Sequence, residues 1–202
     1  MRLRGYPVHS LRTLRNLLIV QALMAISVTG HAADWNIDRL MHELAQVRSD
    51  HASFIEKKSI AMLEEPVISS GELFYLAPDH LEKRTLKPKP ESMVLDGETL
   101  VIEHRHKKRR LDLQDHPQLA AFIDSIRGTL AGDRRALEHH YQLSLEGTAE
   151  HWTLQLLPVG KKVQEVIKRI RITGTGNALR SINITQADGD SSLMLIEKST
   201  KQ

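Results

Sequence analysis

Apolar residues in this chain fall into two rhythms, and the switches between them predict most of its elements. From Ile37 the rhythm is helical. Ile37, Leu40, Met41, Leu44 and Val47 recur on one face, with Asp38, Arg39, Glu43 and Gln46 opposite. Asp34 or Asn36 supplies the N-cap. After Ser49-Asp50 the period drops to two, predicting a strand from His51 to Ile60 that ends before the turn-rich Glu64-Glu65-Pro66. Gly71 to Leu76 and Leu81 to Leu86 read as further strands, stopped by Pro78-Asp79 and Pro88-Lys89-Pro90. Ser92 to Leu95 and Thr99 to Glu103 flank Asp96-Gly97, a strong hairpin signal. Leu111 to Leu113 forms one more short strand.

A second helical stretch opens at Pro117, with Leu119, Phe122, Ile123, Ile126 and Leu130 on one face, and Asp133 caps a short third turn reaching Tyr141. Alternation then resumes. Tyr141, Leu143 and Leu145 share a face, as do Trp152, Leu154 and Leu156, then Ile170 with Ile172, Ile182 with Ile184, and Leu193 with Leu195. Gln142, Thr153, Arg171 and Asn183 fall on the opposite faces, the mark of an antiparallel sheet covered on one side. The pattern predicts an α+β chain of roughly nine to eleven strands and two or three helices. So long a twisted sheet curls rather than lying flat. Two amphipathic helices cover its dry face only if that face curves around them. An incomplete β-barrel with helices across its mouth is expected, and such a shape leaves apolar volume for a ligand.

The first 32 residues follow a different plan. Arg2, Arg4, Arg12 and Arg15 lead an apolar run from Leu17 to Val28, and Gly30-His31-Ala32 puts small residues before a cut after Ala32. This is the three-part pattern of a secretory signal, and its apolar stretch of about a dozen residues is short for a membrane span. We therefore expect a signal peptide over 1–32, one domain over 33–202, and a periplasmic location. Four of the 28 basic residues and none of the 25 acidic ones lie in the signal, so the remainder stands near −1. Charge gives no argument for nucleic-acid binding. The chain has no cysteine, which excludes disulfides and a lipid-bearing N-terminal cysteine alike.

Chemistry-bearing motifs are few. There is no Gly-x-Ser-x-Gly and no cysteine nucleophile, and Gly174-Thr175-Gly176 leads into a strand instead of a phosphate-binding helix. No enzyme and no cofactor are expected. His104 with His106, and His139 with His140, lack a third ligand at defined spacing, so no metal site is expected. The run from His104 to Arg110 reads either as a solvated hairpin tip or as a docking patch of Arg105, Lys107, Lys108, Arg109 and Arg110 for anionic headgroups or an acidic partner.

Three segments in the first half carry a resemblance. His51-Ala52-Ser53-Phe54 with Glu56-Lys57, the segment Gly71 to Leu81, and Val94-Leu95-Asp96-Gly97-Glu98-Thr99-Leu100 resemble, in order and spacing, three signatures of the LolA family of periplasmic outer-membrane lipoprotein carriers. The resemblance implies a half-open β-barrel closed by a helical lid, with an apolar cavity that takes up acyl chains. It implies an inner-membrane donor, an outer-membrane acceptor and a monomeric carrier. Family carriers have an arginine before the proline of the second segment that ties the lid shut. Here that residue is Ala77. The chain also stops soon after Leu195, where the carriers continue. Both differences suggest a divergent paralogue of the kind associated with lipid or aryl-polyene gene clusters, whose cargo is a lipoprotein or another lipid.

On that resemblance the dry positions Phe54, Leu73, Leu81, Met93, Leu95, Leu100, Ile102, Trp152 and Leu154 are the expected cavity wall, with Leu40, Leu44, Phe122 and Ile126 as lid faces. The alternative is a periplasmic sensor or interaction domain that uses the same fold to detect lipids or lipoproteins.

Overall fold

The computed structural model describes residues 35–105 and 107–198; the expected signal over 1–32 lies outside them. Eleven strands form one antiparallel sheet in the order β6-β5-β4-β3-β2-β1-β11-β10-β9-β8-β7. In chain order they are β1 (Ser49–Ser59), β2 (Val67–Leu76), β3 (His80–Lys87), β4 (Glu91–Asp96), β5 (Thr99–His104), β6 (Lys107–Asp112), β7 (Tyr141–Gly147), β8 (Trp152–Pro158), β9 (Ile167–Thr175), β10 (Ala178–Gln186) and β11 (Ser191–Lys198). Among the described residues four α-helices accompany them: α1 (Ile37–Ala45), α2 (Pro117–Ala131), α3 (Arg134–His140) and the single turn α4 (Lys161–Gln164). The sheet is not closed into a barrel; β6 and β7 are its two edges, and α2 and α3 lie between them in the chain.

The caps are those the sequence offers. Asn36 Oδ1 accepts from Arg39 N–H at the start of α1, and Asp133 Oδ1 from Ala136 N–H at the start of α3. Gly132 ends α2 in the left-handed region at φ 65°, pressed so closely on the Met41 carbonyl that a Cβ there would collide with it.

Helices α1 and α3 pack with β7–β10 in one core of Leu40, Leu44, Leu137, Tyr141, Trp152, Leu154, Leu156, Ile170 and Ile172, every one nearly or fully buried. A second cluster, Leu95, Leu100, Leu113 and Ile123, joins α2 to β4 and β5. Tyr141 donates its hydroxyl to the Ala121 carbonyl, stitching β7 to α2. Burial drives that phenol's pKa well above its usual range.

Three expectations change. β11 faces the other way: Ser192 is buried and Met194 and Ile196 half-buried, while Leu193 and Leu195 are 37% and 50% exposed. Its outward face is as apolar as its inward one, so hydrophobicity alone does not fix the parity. β6 begins at Lys107, so the basic run forms a hairpin turn only around Arg105, and its cations from Lys107 to Arg110 extend along a strand paired with β5. β2 starts at Val67, four residues before Gly71, because β1 is long enough to pair with it from Lys58 onward.

Candidate functional site

Between the sheet and the helices lies a cavity of about 640 Å³. Its wall takes residues from α1, α2 and eight adjacent strands, β5 through β9 along the sheet order. Eight strands laid flat at about 4.8 Å spacing would extend over 30 Å, so residues of all eight meet around this volume only because the sheet curls.

The wall is predominantly aliphatic. Leu73, Leu81, Met93, Leu95 and Leu100 come from β2–β5, and Leu179, Ile182, Ile184, Met194 and Ile196 from β10 and β11. The helices close it with Leu44, Phe122, Ile123, Ile126 and Leu130. Of the expected wall, Leu73, Leu81, Met93, Leu95 and Leu100 therefore reach the cavity, as do Leu44, Phe122 and Ile126 of the expected lid.

The structure puts the other five elsewhere. Trp152 and Leu154 are 2% and 0% exposed in the packed core, and Leu40 is fully buried with them. Trp152 is held there by its indole N–H, which donates to the Gly176 carbonyl at 2.8 Å. Phe54 is consumed beneath Lys83, whose ammonium sits 4.9 Å from the ring centroid. Ile102 packs on the cluster around Leu95 and Leu100 without lining the cavity.

Pattern reading missed the polar part of the wall, which includes Asp50, Glu56, Lys58, Glu82, Lys83 and Ser192. A search for dry positions passes over charged residues. Strand parity was the available signal, since Glu56 and Lys58 continue the inward series of Ala52 and Phe54. The carboxylate of Glu56 accepts from Lys83 Nζ at 2.5 Å and from Ser192 Oγ at 2.5 Å. Burial pushes its pKa up, but the Lys83 ammonium and the Ser192 hydroxyl outweigh that and hold it below its ordinary value.

The cover is fastened by polar side chains. Arg127 of α2 reaches the Gly97 carbonyl and the Glu98 and Asp124 carboxylates. Arg134 of α3 joins Asp38 of α1 at 2.7 Å, and Gln118 donates to the Lys162 carbonyl. Ala77, where a latch arginine was expected to be missing, contributes its backbone N–H to the Arg48 carbonyl at 2.8 Å. Among the described residues no group of three or more His, Cys, Asp or Glu side chains could hold a metal ion. Lys107, Lys108, Arg109 and Arg110 lie exposed along edge strand β6, with Arg105 at its turn at φ 48°.

Several solved structures are similar to this chain. A LolA superfamily protein from Nitrosomonas europaea aligns with a TM-score of 0.44 at 10% identity, covering 84% of this chain and 96% of the other. The MucA/MucB complex of Pseudomonas aeruginosa gives 0.46 at 15% identity over 80% of this chain and 54% of that one, so this chain spans about half its length. Mycobacterium tuberculosis lipoprotein LppX gives 0.41 at 9%, covering 81% and 97%. No curated protein matches the sequence. The family model described as outer membrane lipoprotein carrier protein LolA-like matches residues 29–202. The chain, by this match over nearly its whole length, belongs to the LolA-like family of outer membrane lipoprotein carrier proteins.

Proposed function

We propose that the protein is a periplasmic carrier that shelters acyl chains of a lipoprotein or lipid in its cavity and moves them toward the outer membrane. The observation that carries this reading is the unfilled aliphatic volume of about 640 Å³ under the helices. It lies within the roughly 300–1,000 Å³ typical of small-molecule sites. Burying one methylene contributes about 0.8 kcal/mol, so a sixteen-carbon chain resists entering water by roughly 10 kcal/mol. An apolar container meets that cost, and no covalent step is needed.

In this reading residues 1–32 direct export and are removed. The protein works as a monomer between an inner-membrane donor and an outer-membrane acceptor, without cofactor or nucleic acid. The exposed cations of β6 are its contact with an anionic membrane surface while cargo is exchanged.

Native mass spectrometry of protein purified from its own periplasm, followed by solvent extraction, tests the carrier reading. A bound mass that extracts as a lipid, and is lost in a folded Met93→Glu variant, is the expected result. Protein that is empty, and stays empty when offered membrane lipids and lipoproteins, would overturn it in favour of a sensor or interaction domain.

A further inference from the structure

The polar patch in the cavity is built across three strands. Glu56 on β1 pairs with Ser69 of β2, and Lys83 on β3 pairs with Leu73 of β2. The bridge between them therefore crosses β2 at the residue midway, Gly71. Gly71 has no side chain to block that path, and a Cβ there would collide with the Arg84 carbonyl. Both oxygens of Glu56 are occupied, one by Lys83 and one by Ser192.

The cations are not used up. An ammonium has three N–H donors, and Lys83 directs one at Glu56 while its side chain keeps 26% exposure beside the cavity. Lys58 also lines the cavity, and it makes no ion pair among the described residues. Asp50 and Glu82 also line the cavity, but Asp50 pairs with Lys198 and Glu82 with Arg84. That leaves two ammoniums, Lys58 and Lys83, against the single carboxylate of Glu56, an excess of positive charge at this end of an aliphatic cavity. Desolvation largely cancels what such an enclosed pair adds to stability, so folding alone is a weak reason for placing charges here.

We propose that Lys83 and Lys58, with Glu56 holding Lys83 in position, form a head-group subsite, and that the cargo is an acyl chain ending in an anionic carboxylate or phosphate. The inference rests on the carrier reading above and narrows its cargo. The chain lies against the leucines of β2–β5 while the anion meets the two ammoniums. Glu56 offsets this attraction only in part, because one of its oxygens is paired with Lys83 and the other accepts from Ser192.

The test is displacement of N-phenyl-1-naphthylamine from the delipidated protein at pH 8 by palmitate, by palmitoyl lysophosphatidylglycerol and by hexadecanol. The anionic probes are expected to bind at least about tenfold tighter than the alcohol. A preference between the two anions identifies a free fatty acid or a phospholipid as the source. The Glu56→Gln/Lys83→Met double variant, which leaves no unpaired carboxylate behind, should bring the anionic probes down toward hexadecanol. Glu56→Gln alone should strengthen palmitate binding and leave hexadecanol unchanged, a shift that a merely structural ion pair does not produce. Equal binding of all probes by the wild type, or equal effects of Glu56→Gln on palmitate and hexadecanol, would overturn the subsite and leave the carrier reading standing. Binding of none of the probes would overturn both.

Discussion

Arg127 donates to the backbone carbonyl of Gly97 at 2.8 Å, fixing α2 to the turn between β4 and β5. The same guanidinium meets Asp124 at 2.6 Å and Glu98 at 3.0 Å, and only 20% of the side chain is exposed. An arginine within the cover thus holds it to the sheet, while the position of the family latch is Ala77.

Arg127→Ala should therefore loosen the cover without unfolding the sheet. Losing charge-assisted hydrogen bonds at a partly exposed site costs about 1–2 kcal/mol. Thermal melting should show the destabilisation, and stopped-flow release of a bound fluorescent fatty acid should become faster. An unchanged release rate would mean that the cover does not gate the cavity.

Glu56 gives a pH dependence with a definite sign. Its pKa in the folded protein lies below the ordinary 4.5 because Lys83 and Ser192 outweigh the effect of burial. A depressed carboxylate contributes stability that is fully present above about pH 4.5 and is lost as pH falls through the folded value. The stability difference between wild type and Glu56→Gln, from urea melts at pH 7 and pH 3, should shrink at the lower pH. A constant or growing difference contradicts the assignment.

Core and cavity leucines should respond differently to truncation. Leu154 is fully buried among packed neighbours, so Leu154→Ala should cost about 2–5 kcal/mol. Leu73 borders open volume on one side, and Leu73→Ala should cost less than about 2 kcal/mol. Chemical denaturation of the two variants side by side checks the ordering.

On the edge strand, Lys107→Glu/Arg109→Glu should weaken sedimentation with phosphatidylglycerol vesicles. Each cation near an anionic surface contributes on the order of 1 kcal/mol, and salt should erase the wild-type advantage. Vesicle binding that ignores both the substitutions and the salt would remove β6 from this role.

The sequence was legible where one face of a strand is dry and the other wet, as in β7–β10, because alternation then carries the register. It failed on β11, where Leu193 and Leu195 point out and Met194 and Ile196 point in. It failed again on β6, whose four basic residues show no alternation and are strand only by pairing with β5. The cavity was half legible. Aliphatic residues on β2–β5 identified themselves by parity, whereas Phe54 and Trp152, the most conspicuous apolar side chains, are spent on packing. The charged wall was hidden because parity puts Glu56 inward but a charge there reads as solvated until its partner, Lys83, 27 residues away, is known.

The strand order has one more consequence, for how the chain finds its structure. Every pairing except β1–β11 joins strands consecutive in sequence. The molecule is two meanders, β1–β6 and β7–β11, each made of contacts that close over short loops and so form early. A single seam unites them, with Phe54 opposite Ile196 and Glu56 opposite Met194. Ser192 reaches across that seam to Glu56. The first meander carries Glu56, Lys58 and Lys83, but the Ser192 hydroxyl and the aliphatic wall of β10 and β11 join them only across this long-range seam, so a chain with its halves unjoined has no completed place for cargo.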